Sequence, residues 1–393
     1  MAMAAAAAAT FCSISHGYGV TKLNSFRICI YSRYQSRAIT HENVFRLDAR
    51  KLHSIQRRYI IPLKPRASSN EDHIQHEKEV NNISKATLIW RAVKLPMYTV
   101  AFIPISVGSA AAYLQTGKYF AKRYFVLLVS SVLVIAWLNL SNDVYDFDTG
   151  ADKNKKESVV NLLGSRTGAH VIAWLLLGIG FTGLTLVSIE AKSIRSILLL
   201  ACAVVCGYIY QCPPFRLSYM GLGEPLCFAA FGPLATTAFY LLQSGRSELP
   251  VSGTIVSSSI LVGLTTSLIL LCSHFHQIED DKAVGKISPL VRLGTERGAK
   301  VVNVAVGLLY SLVFLLGLNQ TLPFFSLVLC ALTLPVGRLV SSFVEKNHKD
   351  ETKIFMAKYY CVRLHTVFGG ALAAGMVAAR MFARRQLPHT VLL

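Results

Sequence analysis

Long apolar stretches dominate the chain from residue 95 onward. A membrane-spanning helix needs about 20 mostly apolar residues, and these stretches are of that length. We count nine, at residues 95–115, 124–141, 169–189, 193–211, 222–243, 254–275, 300–318, 322–343 and 364–382. This pattern predicts an all-α, polytopic membrane protein with about nine transmembrane helices.

The overall composition supports the same fold class. Apolar residues make up 53% of the 393 residues, charged residues make up 16%, and the mean hydropathy is +0.45. Soluble domains carry about 25% charged residues. The net charge of +19 could indicate nucleic-acid binding, but residues 1–66 alone hold 11 lysines and arginines against two acids. We therefore predict a membrane-lipid environment and no nucleic-acid partner.

The composition of the N-terminal segment predicts an organelle-targeting sequence. Residues 1–70 begin MAMAAAAAAT, are rich in Ser and Arg, and lack a continuous apolar stretch of spanning length. This composition is typical of transit peptides, and the alanine-rich start followed by hydroxylated residues favours the plastid (chloroplast) over the mitochondrion. The alternative is a basic arm that binds anionic lipid or nucleic acid. We assign 71–94 to an N-terminal cap segment, 95–385 to the membrane domain and 386–393 to a tail.

Positive charge is unevenly divided between the two membrane faces. With nine spans, the N-terminal arm and the loops after even-numbered spans share one face, which carries 19 lysines and arginines against 9 on the other. The positive-inside rule places the more cationic face on the side of synthesis or import, which is the stroma in a plastid. Both acidic clusters described next belong to this face.

The first acidic cluster follows the second span. If that helix continues past residue 141, positions i, i+3, i+4 and i+7 place two amides and two carboxylates on one face: Asn139, Asn142, Asp143 and Asp146. Gly150 then ends the helix, and Asp152 can fold back from the loop. Carboxylates at the end of an apolar helix are costly in free energy, and they usually have a functional role where they occur. This cluster is therefore a candidate functional site.

The second acidic cluster follows the sixth span. On a continuous helix His274, Gln277 and Asp281 share one stripe, and His276 and Asp280 share the neighbouring stripe. Because both clusters follow even-numbered spans, they lie on the same membrane face and can meet. We expect the histidines to form hydrogen bonds at the helix end rather than to bind metal.

Converging carboxylates repel one another unless a divalent cation lies between them. Oxygen ligands suit Mg²⁺, which keeps some waters and takes further ligands from substrate phosphates. The predicted metal ligands are Asp143, Asp146, Asp152, Asp280 and Asp281. The cationic side chains predicted to bind phosphate are Lys153, Lys155, Lys286 and Arg292. The alternative is that both clusters are solvated loop charges and helix caps.

An aromatic loop at residues 207–225 lies between the two clusters in sequence. It contains a Pro-Pro pair and several tyrosines, among them Tyr208 and Tyr210. The negative face of an aromatic ring attracts ammonium ions, and Tyr208 and Tyr210 could stabilise a carbocation in the same way. The alternative is an aromatic belt at the membrane interface.

These motifs resemble the UbiA superfamily of intramembrane aromatic prenyltransferases, and within it the menaquinone branch. That branch has N-x-x-N-D-x-x-D followed by a Gly and a later Asp, matched here by Asn139, Asn142, Asp143, Asp146, Gly150 and Asp152. Its V-R-L-G and G-L-G-E/D segments are matched by residues 291–294 and 221–224. The resemblance covers about residues 90–385. One position departs from it, because the usual D-x-x-x-D of the second motif begins here with Gln277.

The resemblance implies helices around a central cavity and a magnesium-dependent prenyl transfer. With a plastid leader, it implies transfer of a phytyl group from phytyl diphosphate to 1,4-dihydroxy-2-naphthoate, or to 2-carboxy-1,4-naphthoquinone, in phylloquinone (vitamin K1) biosynthesis. Asp143, Asp146 and Asp281 are then the catalytic acids, and Asn139 and Asn142 bind the diphosphate. The alternatives are a sibling plastid enzyme of the homogentisate or chlorophyll type and, from another class, a cation or metabolite transporter.

Overall fold

The structure, a computed structural model, describes residues 94–150, 158–244 and 250–386. All of these belong to the compact unit Lys85–Leu393. Several sequence predictions lie outside the described residues: the transit peptide at 1–70, the cap at 71–93, the loop residues Asp152, Lys153 and Lys155, and the tail after 386. These stay predictions.

Every regular element among the described residues is a helix, and nine helices there are long and apolar enough to cross a membrane. They are, from the first span to the ninth, Leu95–Thr116, Ala121–Thr149, Arg166–Glu190, Ile194–Gln211, Gly223–Gln243, Gly253–His276, Pro289–Leu318, Phe324–Asn347 and Glu351–Arg384. The predicted all-α class and the predicted number of spans are confirmed.

The seventh span begins earlier than its apolar stretch predicted. The sequence placed its start at residue 300, whereas the helix begins at Pro289 and runs through a kink at Gly294, where φ is 74°. The start has a local cause, because the Ser288 hydroxyl accepts a hydrogen bond from the Val291 N–H and proline is favoured in the first turn. Polar residues therefore extend this helix beyond the apolar region.

The sixth span lies at the centre of the bundle. It packs against the first, fifth, seventh and ninth spans, and the largest hydrophobic core cluster is built around it. Of its most apolar stretch, 72% is buried inside the protein, against 17% for the fourth span. The sixth span is therefore an internal helix, and the fourth presents most of its surface outward.

Close packing of the second and third spans depends on glycine. A Cβ added to Gly180 would lie 2.8 Å from the Ser130 carbonyl oxygen, which is closer than real Cβ contacts come. Gly180 belongs to a G-x-G-x-x-G pattern inside the third span. The pattern serves helix packing here, as small residues do in membrane proteins.

Short elements after even-numbered spans carry the polar residues of the candidate site. The helix Val159–Leu163 follows the second span, the 3₁₀ helix Leu217–Met220 follows the fourth, and the helix Ile278–Ala283 follows the sixth. These connections share one face of the bundle, because successive spans alternate in direction.

Candidate active site

The first acidic cluster lies on the last turns of the second span. This helix continues to Thr149 and ends at Gly150, where φ is 90°. The predicted continuation past residue 141 and the predicted stop are confirmed. Helical spacing therefore places Asp143 and Asp146 on one face, above the apolar part of the span.

Asp143 is almost completely buried, and both of its carboxylate oxygens are engaged. Its exposed fraction is 2%. Oδ1 lies 2.7 Å from the Lys94 ammonium, and Oδ2 accepts a hydrogen bond of 3.2 Å from the Val159 N–H. Sequence analysis had counted Lys94 only as one of the charges on its face. The partnership joins residues 49 positions apart, so no local pattern could have shown it.

The two asparagines of the cluster occupy different positions. The Asn142 side-chain amide donates a 2.8 Å hydrogen bond to Asp146 Oδ2 and so orients that carboxylate. Asn139, one turn earlier, lies near Tyr98 at the start of the first span. Both amides thus lie with the carboxylates, in the arrangement the spacing predicted.

The second acidic cluster does not lie on a continuous helix, and the predicted stripe of His274, Gln277 and Asp281 is wrong in this respect. The α-helix of the sixth span ends at Ser273, a 3₁₀ turn follows, and Gln277 is non-helical (φ −116°, ψ 8°). A short helix, Ile278–Ala283, then begins with three acids in its first turn. Acids in a first turn are favoured by the helix dipole, so they stabilise a new start.

The break separates the two aspartates of this cluster. Asp281 is buried, 6% exposed, and its Oδ1 lies 3.1 Å from the Lys286 ammonium. Within the described part of the chain, its Oδ2 is buried without a hydrogen-bond partner. Asp280 is exposed and lines a separate pocket with Glu279, His276 and Thr295. The structure therefore does not bring Asp280 to the other predicted metal ligands.

Tyr219 connects the two clusters. Its hydroxyl donates a 3.0 Å hydrogen bond to Thr149 Oγ1, at the end of the first cluster. Its backbone carbonyl accepts a 2.8 Å hydrogen bond from the Ile287 N–H, next to the second. The Lys286 ammonium lies 6.0 Å from the centre of its ring. The two clusters thus lie together, as their positions after even-numbered spans predicted.

The ionisation of Tyr219 reflects this position. Burial raises the pKa of its hydroxyl above 10.0, and the charges of Asp146 and Asp281 raise the pKa further, while the hydrogen bond to Thr149 and the charge of Arg216 oppose the shift. A raised pKa favours the protonated phenol. The hydroxyl therefore stays a hydrogen-bond donor at neutral pH. In the sequence Tyr219 is one of several tyrosines of the aromatic loop at residues 207–225, and no local pattern distinguishes it from the others.

Tyr208 and Tyr210 do not face the same environment. Tyr210 lies within electrostatic reach of Asp146, Glu224 and Asp281, which places it between the clusters. Tyr208 packs with Trp174, their ring centres 6.4 Å apart, in an outward aromatic group. Two residues apart on a helix point about 200° apart, so both rings cannot face one site. The structure places Tyr208 beside Trp174 and Tyr210 near the carboxylates.

Arg292 supports the loop that carries the site. Its guanidinium donates a 2.8 Å hydrogen bond to the Met220 carbonyl. The next residue, Gly221, has a φ of 78°, and a Cβ there would lie 2.8 Å from the Ile287 carbonyl oxygen. Only glycine fits this turn without strain. The predicted phosphate contact of Arg292 is not tested, but the side chain already has a structural contact.

Glu224, in the first turn of the fifth span, forms a buried pair with His274. His274 Nδ1 lies 3.1 Å from Glu224 Oε1, and the two side chains are 3% and 14% exposed. The expectation that His274 forms a hydrogen bond at a helix end is confirmed. This partner was not predicted, since residues 224 and 274 lie at the ends of different spans.

The donor set fits a hard divalent cation. Asp143, Asp146 and Asp281 offer only carboxylate oxygens, and one of these, Asp281 Oδ2, is buried and unpaired among the described residues. No three His, Cys, Asp or Glu side chains in that part of the chain converge closely enough to hold a metal alone. Such a set suits Mg²⁺, which is bound through one or two carboxylates, water and substrate phosphates.

The chain matches the UbiA prenyltransferase family over residues 101–362. It is 60% identical over 345 residues to the chloroplastic 2-carboxy-1,4-naphthoquinone phytyltransferase of Arabidopsis thaliana, covering 87% of this chain and 90% of that protein. It is 43% identical over 284 residues to the 2-carboxy-1,4-naphthoquinone phytyltransferase of Synechocystis sp., covering 72% and 91%.

A solved structure supports the fold independently. A UbiA homologue from Archaeoglobus fulgidus bound to GPP and Mg²⁺ superimposes with a TM-score of 0.53, covers 73% of this chain and 99% of its own, and is 17% identical. At that identity the likeness is one of fold. The described helices, the two acidic motifs and the sequence matches agree, and the chain belongs to the UbiA prenyltransferase family.

Proposed function

We propose that this chain transfers a phytyl group from phytyl diphosphate to 1,4-dihydroxy-2-naphthoate, or to its oxidised form 2-carboxy-1,4-naphthoquinone, with release of diphosphate and CO₂. The observation that carries the proposal is that Tyr219, hydrogen-bonded to Thr149 at the end of the first cluster, lies within electrostatic reach of Asp146 in that cluster and of Asp281 in the second, at one end of a membrane prenyltransferase fold. The names of the Arabidopsis and Synechocystis relatives support the choice of substrates. The product would serve phylloquinone synthesis.

Magnesium dependence is part of the proposal. Asp143, Asp146 and Asp281 would hold the ion, with Asp152 as a further predicted ligand, because their oxygens match its preference. Bound magnesium supplies neutralisation of the negative charge that develops on the leaving diphosphate. Asp280 stays a predicted ligand only from the sequence, since its side chain is exposed.

The cationic side chains would bind the outer phosphate oxygens. Lys94 and Lys286 each hold a site carboxylate in an ion pair, at 2.7 Å and 3.1 Å. On binding of the diphosphate, both ammonium groups would exchange a carboxylate contact for a phosphate contact. We expect Lys153 and Lys155 to contribute from the loop, and Asn139 and Asn142 to donate amide hydrogen bonds.

Tyr210 would face the allylic cation as the C–O bond breaks. The aromatic ring presents a negative face, and a desolvated cation on such a face gains about 2 kcal/mol. The apolar walls of the bundle would hold the phytyl chain and exclude water, which would otherwise capture the cation. The ring carbon that bears the carboxylate then attacks, and loss of CO₂ restores aromaticity.

An assay of membranes containing the full-length chain tests this function. We expect a prenylated, decarboxylated naphthoquinol with phytyl diphosphate and 1,4-dihydroxy-2-naphthoate, detected by mass, and activity lost in excess EDTA. Homogentisate and chlorophyllide serve as competing acceptors for the sibling enzymes. Ion-dependent flux in vesicles without diphosphate release would instead support the transporter, and full activity in EDTA would contradict the magnesium site.

The proposed location is a plastid membrane, with residues 1–70 as transit peptide and the site facing the stroma. The chloroplastic relative supports the organelle. A membrane-impermeant thiol reagent tests the orientation on sealed membranes carrying Asn154→Cys or Leu387→Cys. We expect the two positions to react from opposite sides, since residue 154 follows the second span and residue 387 follows the ninth, so that an odd number of spans, seven, lies between them. Reaction of both from one side would mean an even number of spans.

A further inference from the structure

Glu224 and His274 form a buried acid–imidazole pair that the steps above leave unused. Glu224 opens the fifth span and His274 follows the α-helix of the sixth, so the 3.1 Å contact ties two spans together at the site. The Ser267 hydroxyl also donates a 3.1 Å hydrogen bond to the Glu224 backbone carbonyl. The sixth span thus contacts Glu224 at both its side chain and its backbone.

Among the described residues, one oxygen of this carboxylate has no hydrogen-bond partner. Glu224 Oε1 contacts His274, whereas Oε2 is buried and without a hydrogen bond within residues 94–150, 158–244 and 250–386. Buried polar atoms in proteins are nearly always hydrogen-bonded, and an exception requires an explanation. A substrate hydroxyl would supply the missing partner.

The pair lies beside the reacting centre. A Cβ added to Gly223 would lie 2.9 Å from Tyr210 Cε2, so the backbone next to Glu224 packs directly on the Tyr210 ring. The Tyr210 hydroxyl interacts electrostatically with Asp146, Glu224 and Asp281 together. A molecule that reaches Tyr210 and the two acidic clusters therefore also reaches Glu224.

Two other carboxylates of the site already have cationic partners. Asp143 pairs with Lys94, Asp281 pairs with Lys286, and both would bind magnesium in the proposed function. Glu224 has instead a histidine partner, which can carry a proton or release it.

We propose that Glu224 accepts the proton of the acceptor's 1-hydroxyl group during prenyl transfer and returns it afterwards, with His274 as the positioning residue. The inference rests on the proposed function. Glu224 Oε2 would be the atom that contacts the hydroxyl, and His274 would hold Oε1 so that Oε2 stays in place.

The step balances without an oxidant. As the ring carbon bearing the carboxylate forms its bond to the phytyl carbon, the C–O bond to diphosphate breaks, the 1-hydroxyl loses its proton to Glu224, and its oxygen becomes a ketone. The bond to the carboxylate then breaks, CO₂ leaves, its electron pair returns to the ring, and the 1-oxygen recovers the proton. The products are the quinol, CO₂ and diphosphate.

Two methoxy acceptors test the assignment in membranes kept under reducing conditions. The Glu224→Gln change preserves an oxygen that can accept from His274 but removes the base. We expect it to slow kcat by about 10²–10⁴-fold on the dihydroxy acceptor, with unchanged KM for phytyl diphosphate. The ratio of kcat between the unaltered enzyme and Glu224→Gln should be as large with 1-hydroxy-4-methoxy-2-naphthoate. It should fall to within about threefold with 4-hydroxy-1-methoxy-2-naphthoate, because this acceptor has no 1-hydroxyl proton to transfer.

His274→Gln should show a smaller loss with the same dependence on the 1-hydroxyl, which a purely structural role would not produce. Glu296→Gln, which changes an exposed carboxylate paired with Lys300, is the matched control and should keep full activity. If the ratio of kcat between the unaltered enzyme and Glu224→Gln is the same with both methoxy acceptors, the proposed role of Glu224 is overturned. If neither the unaltered enzyme nor Glu224→Gln uses the 1-methoxy compound, Glu224→Asp is the deciding variant, because it keeps a carboxylate. An equal loss of kcat in Glu224→Asp and Glu224→Gln would then also overturn the role of Glu224.

Failure of the proposed function would look different. In that case the unaltered enzyme forms no prenylated product from the dihydroxy acceptor, whatever the residue at position 224. If the unaltered enzyme is active and Glu224→Gln is equally active on the dihydroxy acceptor, the function stands and the role of Glu224 is wrong.

Discussion

The two acidic clusters differ in how the backbone presents them. The first lies on an unbroken helix that extends eight residues past its apolar stretch, so its side chains keep helical spacing. The second lies after a break at Gln277, on a helix of six residues. In the first cluster Asp143 and Asp146 share one face, whereas in the second Asp280 and Asp281 have opposite exposure.

Neighbouring acids in such clusters are therefore not equivalent ligands. A continuous helix positions every fourth residue on the same side, and a metal site can use several of them. A short, separately started helix positions one acid inward and leaves its neighbours at the surface. We therefore expect the first cluster to depend on several residues and the second mainly on Asp281.

The largest loss should follow changes in the first cluster. Asp143→Asn and Asp146→Asn each remove a charge that would hold the magnesium diphosphate, and we expect kcat to fall by about 10³-fold. Asp148→Asn is the control on the same helix, because Asp148 is exposed to a greater degree and pairs with Arg166. Prenyl-transfer rates of the three variants at equal protein levels are the measurement. An equal loss of rate in Asp148→Asn would contradict the assignment of Asp143 and Asp146 to the active site.

The second cluster should show a smaller and more selective loss. We expect Asp281→Asn to lower kcat by about 10²-fold and to raise the magnesium concentration needed for half activation. The sequence alone predicts moderate damage from Asp280→Asn, but the exposed side chain leads us to expect less than about threefold. Magnesium activation curves measure both. An Asp281→Asn enzyme with a normal rate and an unchanged requirement would exclude Asp281 as a ligand.

Substitutions of the two tyrosines of the fourth span, Tyr208 and Tyr210, should likewise differ in their effect on rate. Tyr210→Leu removes the ring near the carboxylates, and the loss of a desolvated cation–π contact of about 2 kcal/mol corresponds to about 30-fold in rate. Tyr208→Leu removes a ring of the outward aromatic group and should leave kcat within about threefold. Single-turnover rates with saturating acceptor distinguish them. Equal effects would mean that the helix is rotated.

Tyr219→Phe tests the connection between the clusters. The change removes the hydrogen bond to Thr149, and one such bond contributes about 1 kcal/mol, or about fivefold. Because the raised pKa keeps the hydroxyl protonated, the unaltered enzyme should lose none of this contribution between pH 7 and about 9. Rates of the two proteins across that range are the measurement, and a ratio that falls toward one well below pH 9 would contradict the assigned hydrogen bond.

The smallest effect should come from Gln277→Asp, which restores the usual motif. Gln277 precedes the short helix, at the N-cap position, where aspartate is among the preferred residues. The backbone break should therefore persist, and we expect a rate within about threefold and an unchanged or lower magnesium requirement. A large loss of activity would show that the glutamine amide itself has a role.

Much of this arrangement could be predicted from local pattern, and the rest could not. The extension of the second span and its stop at Gly150 follow from spacing and one glycine. The different directions of Tyr208 and Tyr210 could also be predicted, since residues two positions apart on a helix point about 200° apart. The contacts of Lys94 with Asp143 and of Glu224 with His274 join distant segments, so only the packed spans could show them.

The central position of the sixth span has a consequence for inherited variation. Of its apolar stretch 72% is buried, and a Cβ at Gly263 would lie 2.9 Å from the Phe228 carbonyl oxygen, so even small changes there force neighbouring helices apart. The fourth span is 17% buried, and lipid accepts one apolar side chain about as readily as another. A missense change of the same chemical size should therefore be tolerated at an exposed position of the fourth span, such as Leu198 or Val205, and be a loss-of-function allele in the sixth.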